Sequence, residues 1–389
     1  MTGSVGTVAT QRVVLFTEDD PLVLESGATL GPVEVAYETY GTLNDDRSNA
    51  VVVCHALTGD AHAAGYHEGA DRPGWWDTLI GPGKPVDTDR LFVVCANILG
   101  GCRGTTGPSS IDPRTGRPYG LRFPLFTVRD IAAVQRALVV GHLGIARPLA
   151  AIGGSLGGMQ ALQWALDHPG ELQGALLVCA TSRLSAQNIA FSAVAREAIM
   201  RDPDFNGGDF YDDGARPDLG LSLARMVAHI TYLSEASMRE KFGRRLQNGD
   251  RPRNGFDVDF QVESYLQHQG QTFLKRFDAN TYLYLTRVMD YFDPFAEPDV
   301  AARLERLRTR FLCLSFDTDW RFDTTHTREI VRRLSAARVP VTFREIASPY
   351  GHDSFLLEVP EYHRTVAAFL QRLEAEAVHG LPTLAGGGR

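Results

Sequence analysis

The chain has 389 residues, 44% of them hydrophobic and 22% charged, which is typical of a globular protein of one or two domains with a large core. Its 39 Lys and Arg against 47 Asp and Glu give a net charge of −8, and without a basic run this balance argues against a nucleic-acid partner. No apolar stretch reaches the ~18 residues of a membrane span and no signal-peptide pattern opens the sequence, so we expect a cytoplasmic protein without membrane contact.

Short apolar runs bounded by turn residues predict the strands of a mostly parallel sheet. The runs are continuous rather than alternating, as expected of strands that are buried on both faces. In chain order they cover residues 49–57, 89–99, 147–155, 174–180, 310–316 and 340–347.

Helical patterns alternate with these strands. Residues 127–144 and 158–170 have apolar residues at helical spacing, and residues 327–339 and 360–378 form two amphipathic patterns near the end. Strands that alternate with helices predict an α/β fold whose central sheet is mostly parallel and flanked by helices.

One long segment breaks this alternation. Between about residues 183 and 295 no run is typical of a buried strand, and the pieces that have a pattern are helical. We interpret residues 183–295 as a helical lid inserted between two parts of an α/β core, residues 1–182 and 296–378. The tail, residues 379–389, is expected to be disordered.

Five cysteines stand at scattered positions with no C-x-x-C pair. Four of them lie in the apolar strand runs, which predicts buried free thiols rather than disulfides or a metal site. The five are Cys54, Cys95, Cys102, Cys179 and Cys313.

The stretch GGSLG, residues 153–157, fits the motif G-x-S-x-G and stands between a predicted strand and a predicted helix. A strand that turns directly into a helix strains the residue at the bend and leaves its side chain clear of neighbours. The helix N-terminus adds free N–H groups that suit a developing oxyanion. Although glycine-rich turns of this kind also occur for packing alone, we predict that Ser155 is a nucleophile.

A serine hydroxyl needs a base, and in this order of elements the base follows the last strand. His352 stands there, between the strand run 340–347 and the final helix. His326 and His363 lie within or beside amphipathic helices and are interpreted as surface or packing residues.

The acid that orients the base should follow a late strand. Asp317, Asp319 and Asp323 all lie just beyond the run 310–316, and position alone does not choose among them. Asp323 precedes a helix and fits an N-cap.

Backbone N–H groups are expected to hold the oxyanion. Leu156 follows the nucleophile, and Leu57 lies in the loop 54–62 after an early strand, where the second donor belongs. His55 and His62 in the same loop are interpreted as hydrogen-bonding residues of the loop rather than catalytic groups.

Taken together, these motifs closely resemble the α/β-hydrolase-fold homoserine O-acyltransferases of methionine biosynthesis. The resemblance covers nearly the whole chain, from about residue 16 to 375. It rests on the motifs at residues 54–62, 96–116, 153–165, 224–235 and 350–358.

The resemblance implies roles that position could not assign. It implies that Asp319 is the acid, that Arg225 binds the carboxylate of L-homoserine, and that Asp353 binds its amino group. Thr58 and Tyr232 are implied to line the same pocket. From the residues alone, Arg225 is interpreted as part of an ion pair on a helix surface.

Arg321 indicates which acyl group the protein transfers. The acetyl-transferring members usually have leucine at this position and the succinyl-transferring members have arginine. An unpaired arginine in an apolar pocket is costly, which favours a donor with a distal carboxylate, succinyl-CoA. Alternatively, Arg321 points to solvent or pairs with Asp317 or Asp323.

The resemblance also implies a ping-pong mechanism, a homodimer formed through the helical lid, and no cofactor, because acyl-CoA is a substrate. Four other readings stay open: an acetyl-CoA-dependent enzyme, a serine O-acyltransferase, an esterase-type hydrolase and a non-catalytic binding protein. One methylene of substrate is a small energetic difference, so sequence separates homoserine from serine only weakly.

Overall fold

The computed structural model describes residues 3–379 apart from residues 213 and 254. Its centre is one eight-stranded sheet. In chain order the strands are β1 Gln11–Phe16, β2 Val33–Tyr40, β3 Ala50–Cys54, β4 Phe92–Ala96, β5 Ala150–Gly154, β6 Gly174–Val178, β7 Arg310–Phe316 and β8 Val341–Ile346.

The sheet order is β1-β2-β4-β3-β5-β6-β7-β8, and from β4 to β8 all neighbouring strands are parallel. All six predicted strands form. The antiparallel pair β1 and β2 at one edge was not predicted from the sequence. In β2 the polar residues Glu34, Glu38 and Thr39 interrupt the apolar ones, and β1 begins with two polar residues and is only partly buried, so neither strand forms a continuous, fully buried apolar run.

Ten α-helices are present among the described residues. They are α1 Val128–Arg136, α2 Leu156–Asp167, α3 Ala186–Met200, α4 Asp218–Tyr232, α5 Glu235–Lys241, α6 Gln261–Leu274, α7 Ala279–Asp290, α8 Val300–Arg306, α9 Thr324–Ala336 and α10 Pro360–His379. A π-helical turn, Ala137–His142, continues α1, and short 3₁₀ turns cover Gly120–Arg122, Asn206–Gly208 and Gly351–Leu356.

Both faces of the sheet are buried. Val51 and Val53 of β3 pack in one apolar cluster, whereas Val52 between them packs in the other. This two-sided burial explains the continuous apolar runs in the sequence and confirms the α/β fold class. No helix of the described residues is long and apolar enough to cross a membrane.

The elements between β6 and β7 are helical throughout the described part of that segment. Helix α4 packs on α3 and α6 and also on the 3₁₀ turn Gly351–Leu356. The latter contact brings a helix of the predicted lid against the loop that carries His352. Residues 380–389 of the predicted disordered tail lie outside the described residues, and α10 extends to His379.

Candidate active site

Ser155 stands at the turn from β5 into α2 with φ 56° and ψ −123°, a conformation that residues with a side chain rarely adopt. Its N–H donates to Val178 O at 2.9 Å. A Cβ on Gly157 would lie 2.0 Å from Cys54 O, and one on Gly153 would lie 2.3 Å from the carbonyl carbon of Gly157. The glycines are therefore required by close backbone contacts, which hold the turn that presents Ser155.

His352 and Asp319 form a buried pair, each 3% exposed. His352 Nδ1 lies 2.7 Å from Asp319 Oδ2, and the other carboxylate oxygen accepts from the N–H groups of Arg321 at 2.9 Å and Phe322 at 3.0 Å. With Nδ1 engaged by the carboxylate, Nε2 is the nitrogen free to accept a proton.

The three aspartates that sequence position could not separate have different partners. Asp317 Oδ1 accepts from Ser348 N–H at 2.9 Å, and Asp323 Oδ1 accepts from Thr325 N–H at 2.8 Å and caps α9, as its position predicted. Of the three, only Asp319 contacts His352.

The loop that carries Leu57 is fixed from inside. His55 Nε2 accepts from Ile98 N–H at 3.0 Å and Nδ1 lies 2.8 Å from Ala56 O, so the ring acts as a structural clamp, in agreement with its sequence interpretation. The N–H groups of Leu57 and Leu156 donate to no acceptor within the described residues. They are therefore available for an oxyanion.

The far end of this loop is held by a buried carboxylate that sequence analysis did not single out. Glu38 of β2 accepts from Thr10 Oγ1 at 2.8 Å and from Tyr40 OH at 2.9 Å. His62 Nδ1 and His67 Nε2 lie 2.9 Å and 2.7 Å from its oxygens. Burial alone raises the pKa of Glu38, but these hydrogen bonds lower it to about 2.

A cavity of about 50 Å³ lies above Ser155, and most of the predicted site residues line it. Its walls come from the Leu57 loop, the turn at Ser155, two lid helices and the loop of His352. The lining residues are Ala56, Leu57, Thr58, Ser155, Tyr232, Met289, Arg321, His352, Asp353, Phe355 and Leu356.

Arg321 is 7% exposed and lines this cavity. Its Nη1 donates to Thr231 Oγ1 at 2.8 Å, and its guanidinium carbon lies 5.3 Å from the ring centroid of Tyr232. It pairs with neither Asp317 nor Asp323, and no described carboxylate forms an ion pair with it. A buried guanidinium with one neutral hydrogen-bond partner leaves most of its donors for an anion.

Arg225 does not line the cavity but contacts a residue that does, because its Nη1 lies 3.5 Å from Thr58 Oγ1; its guanidinium carbon lies 4.6 Å from the centroid of the Phe273 ring. Its predicted alternative, an ion pair on a helix surface, does not form within the described residues. Asp353 accepts no hydrogen bond there either, and its burial raises the pKa of its carboxyl, an effect that His352 and Arg225 oppose. The site thus holds charged groups of both signs that form no ion pair within the described residues.

Two residues beside the site were missed by sequence reasoning. Thr231 is fully buried, and its hydroxyl donates a hydrogen bond to Ala228 O at 2.8 Å, so its oxygen is directed as an acceptor toward Arg321. Arg276 donates from Nη1 to Thr58 O at 2.8 Å. Thr231 lies within the motif at residues 224–235 and Arg276 lies in none of the motifs, but nothing local assigns a role to either residue, because both gain their role from a contact between the lid and the core.

Residues 49–359 match the model of the α/β hydrolase fold family. With Ser155 at the turn between β5 and α2 and His352 paired to Asp319, the chain has the fold of this class and the serine, histidine and aspartate arrangement expected of it.

Individual proteins of high sequence identity show which family within the α/β hydrolase fold the chain belongs to. The chain is 58% identical over 380 residues to a homoserine O-succinyltransferase of Magnetococcus marinus, covering 96% of both chains. It is 53% identical over 371 residues to a homoserine O-acetyltransferase of Rhodospirillum rubrum, covering 95% of this chain and 94% of the other. A crystal structure of homoserine O-acetyltransferase from Bacillus anthracis superimposes with a TM-score of 0.86 at 29% identity, covering 94% and 98%. The chain belongs to the homoserine O-acyltransferase family.

Proposed function

We propose that the protein transfers the succinyl group of succinyl-CoA to the hydroxyl of L-homoserine, giving O-succinyl-L-homoserine and coenzyme A in methionine biosynthesis. The observation that carries this proposal is Arg321, a buried cation without a carboxylate partner in the cavity that holds Ser155. Succinyl differs from acetyl by a distal carboxylate, which would supply that partner. The name of the Magnetococcus marinus relative supports the same donor.

In the first half-reaction, His352 takes the hydroxyl proton of Ser155 while its oxygen attacks the thioester carbonyl. Asp319 holds the imidazole by Nδ1 and stabilises its protonated form. The N–H groups of Leu57 and Leu156 donate to the oxyanion of the tetrahedral intermediate. The C–S bond then breaks, the proton passes from His352 to the departing sulfur, and a succinyl ester remains on Ser155.

In the second half-reaction, homoserine binds with its carboxylate at Arg225 and its ammonium at Asp353, beside Thr58 and Tyr232. His352 takes the proton of the homoserine hydroxyl, whose oxygen attacks the succinyl ester. When the intermediate collapses, Ser155 recovers its proton and O-succinyl-L-homoserine leaves. The unpartnered charges of Arg225 and Asp353 match the two charged groups of a free amino acid.

Transfer requires that water be kept from the acyl-enzyme. Helices α4 and α7 supply Tyr232 and Met289 to the cavity walls, and the cavity measures only about 50 Å³. This cover favours transfer over hydrolysis, although the same serine, histidine and aspartate would serve an esterase.

The test is the release of the coenzyme A thiol with and without L-homoserine, using succinyl-CoA and acetyl-CoA as donors. We expect homoserine-dependent release that is faster with succinyl-CoA, and O-succinylhomoserine detected by mass spectrometry. A preference for acetyl-CoA would keep the mechanism and reject the donor. Release that is indifferent to homoserine would indicate a hydrolase, and a preference for L-serine would indicate a different acceptor.

We further propose a homodimer formed through the lid. Leu219, Leu223 and Ile230 of α4 are 68%, 52% and 43% exposed, and their spacing places them along one side of the helix. Such an exposed apolar stripe is typical of an interface. Light scattering of the wild type and of Leu223→Asp measures the assembly directly; a monomeric wild type would refute the proposal.

We propose a cytoplasmic location because the cysteines form no disulfides. All five are free, and four of them are buried. Unpaired thiols are usual in reducing compartments, which are also where acyl-CoA donors are made available. Fractionation of cells that express a tagged chain tests this location.

A further inference from the structure

We call the cavity above Ser155 the acyl cavity. A second cavity, of about 360 Å³, lies beside it, and the proposed half-reactions do not use this second cavity. One wall comes from the glycine-rich stretch 96–116 that the sequence analysis singled out, through Cys102, Arg103 and Ser109. The opposite wall comes from the end of α6 and the residues after it, including Lys275 and Arg276.

The lining of this cavity is basic although the chain is acidic overall. Arg103, Arg216, Lys275 and Arg276 line it, against one carboxylate, Asp278. That carboxylate is engaged, because it accepts from Tyr211 OH at 3.1 Å and from Thr281 N–H at 2.7 Å.

Two of these four cations lack an acidic partner. Arg103 lies 3.4 Å from Asp60 and Arg216 lies 3.4 Å from Asp218, whereas Lys275 and Arg276 form no ion pair within the described residues. Burial lowers the pKa of Arg276, and the nearby positive charge of Arg225 lowers it further. An anion near Arg276 and Arg225 would therefore offset the repulsion between their two guanidinium groups.

The two cavities share a wall. Thr58 lines the acyl cavity, and its carbonyl oxygen accepts from Arg276, which lines the basic cavity. The backbone N–H groups of Cys102 and Arg103, which line the basic cavity, donate to no acceptor within the described part of the chain. Free N–H groups in a glycine-rich loop beside cations are suited to phosphate oxygens.

We propose that this basic cavity binds the phosphate groups of the acyl-CoA donor, with Lys275 and Arg276 as the principal cations and the 96–116 loop as the backbone wall. The inference rests on the proposed function, because an acyl-CoA carries its phosphates at the far end of the pantetheine arm from the thioester. Those phosphates must therefore bind outside the small acyl cavity but next to it, which is where this cavity lies.

The test compares succinyl-CoA with S-succinyl-pantetheine, which has the same thioester but no phosphate, in the wild type and in Lys275→Glu. Lys275 is exposed, so the substitution leaves the core intact. We expect kcat/KM with succinyl-CoA to fall at least tenfold more than kcat/KM with S-succinyl-pantetheine. Arg344→Glu, at an exposed position of the edge strand β8, is the matched control. It should lower kcat/KM equally for the two donors or leave both values unchanged.

Direct binding of adenosine 3′,5′-bisphosphate, measured by calorimetry, separates this inference from the proposed function. Binding that weakens tenfold or more in Lys275→Glu but not in Arg344→Glu supports the phosphate site even if the acceptor were not homoserine. Equal losses with the two thioester donors, or nucleotide binding unaffected by Lys275→Glu, would overturn the site. Absence of transfer from either donor, with nucleotide binding retained, would overturn the proposed function alone.

Discussion

Arg321 Nη1 donates to Thr231 Oγ1 at 2.8 Å, and Thr231 in turn donates to Ala228 O, so a lid helix fixes the direction of the one arginine that lines the acyl cavity. Because Thr231 accepts from one N–H only, the remaining donors of Arg321 are left for an acyl carboxylate. In the proposed reaction, the lid therefore takes part in the choice of donor as well as in covering the site.

Arg321→Leu should shift the preference from succinyl-CoA toward acetyl-CoA. A charged hydrogen bond contributes about 1.5–3 kcal/mol, so we expect the ratio of kcat/KM values for the two donors to change roughly 10- to 100-fold. Thr231→Val should shift the ratio in the same direction but less, because the cation stays and only its orientation is lost. An unchanged ratio in Arg321→Leu would mean that the guanidinium does not contact the acyl group.

Ser155→Ala should abolish both halves of the reaction. Without the hydroxyl no acyl ester can form, so mass spectrometry of the protein incubated with succinyl-CoA alone should show the added succinyl mass in the wild type and none in the variant. Ser335→Ala, which removes an exposed hydroxyl on α9 outside both cavities, is the control and should retain the adduct. Transfer that persists in Ser155→Ala would assign the nucleophile elsewhere.

Homoserine binding should weaken on acidification. Burial raises the pKa of Asp353, and Asp319 adds to this effect, while His352, Arg225 and the more distant Lys241 oppose it. The carboxylate that holds the homoserine ammonium is therefore lost at a higher pH than an exposed aspartate would lose it. We expect KM for homoserine to rise as the pH falls, and to be roughly 10- to 100-fold higher and insensitive to acid in Asp353→Asn. Parallel profiles in the two proteins would contradict this role.

Glu38 should stabilise the fold at neutral pH and lose this effect in acid. Its pKa is lowered from 4.5 to about 2 in the folded protein, so its contribution is present above pH 4.5 and disappears as the pH falls toward 2. A lowering of the pKa from 4.5 to about 2 corresponds to ~3 kcal/mol. Urea unfolding of Glu38→Gln should show a deficit of that order at pH 7, and the deficit should narrow between pH 4.5 and 3. The exposed Glu68→Gln is the control; a deficit constant with pH would refute the linkage.

The sequence predicted the parts of this molecule that are specified locally. The turn at Ser155 was predictable because its glycines, strand and helix are contiguous, and the cap at Asp323 because a cap acts on the next turn of its own helix. Asp319 could not be separated from Asp317 by position, since its partner His352 is distant in sequence.

Contacts between distant segments were the least predictable. Glu38 joins β2 to the loop that carries Leu57, and Thr231 joins the lid to Arg321. Glu38 belongs to no recognised motif, and the motif that contains Thr231 does not reveal its contact with Arg321. Strand β2 itself was missed because polar residues interrupt its apolar ones, so that it forms no continuous apolar run.

The close packing at the turn has a consequence for protein engineering. A Cβ on Gly154 would lie 2.4 Å from the Phe355 ring and one on Gly157 2.0 Å from a backbone oxygen, so the floor of the acyl cavity cannot accept larger residues. The opposite side is lined by Met289 and Leu356, whose side chains can be shortened. A laboratory variant that accepts longer acyl chains should therefore be sought by varying these two residues, while the glycines beneath Ser155 are left unchanged.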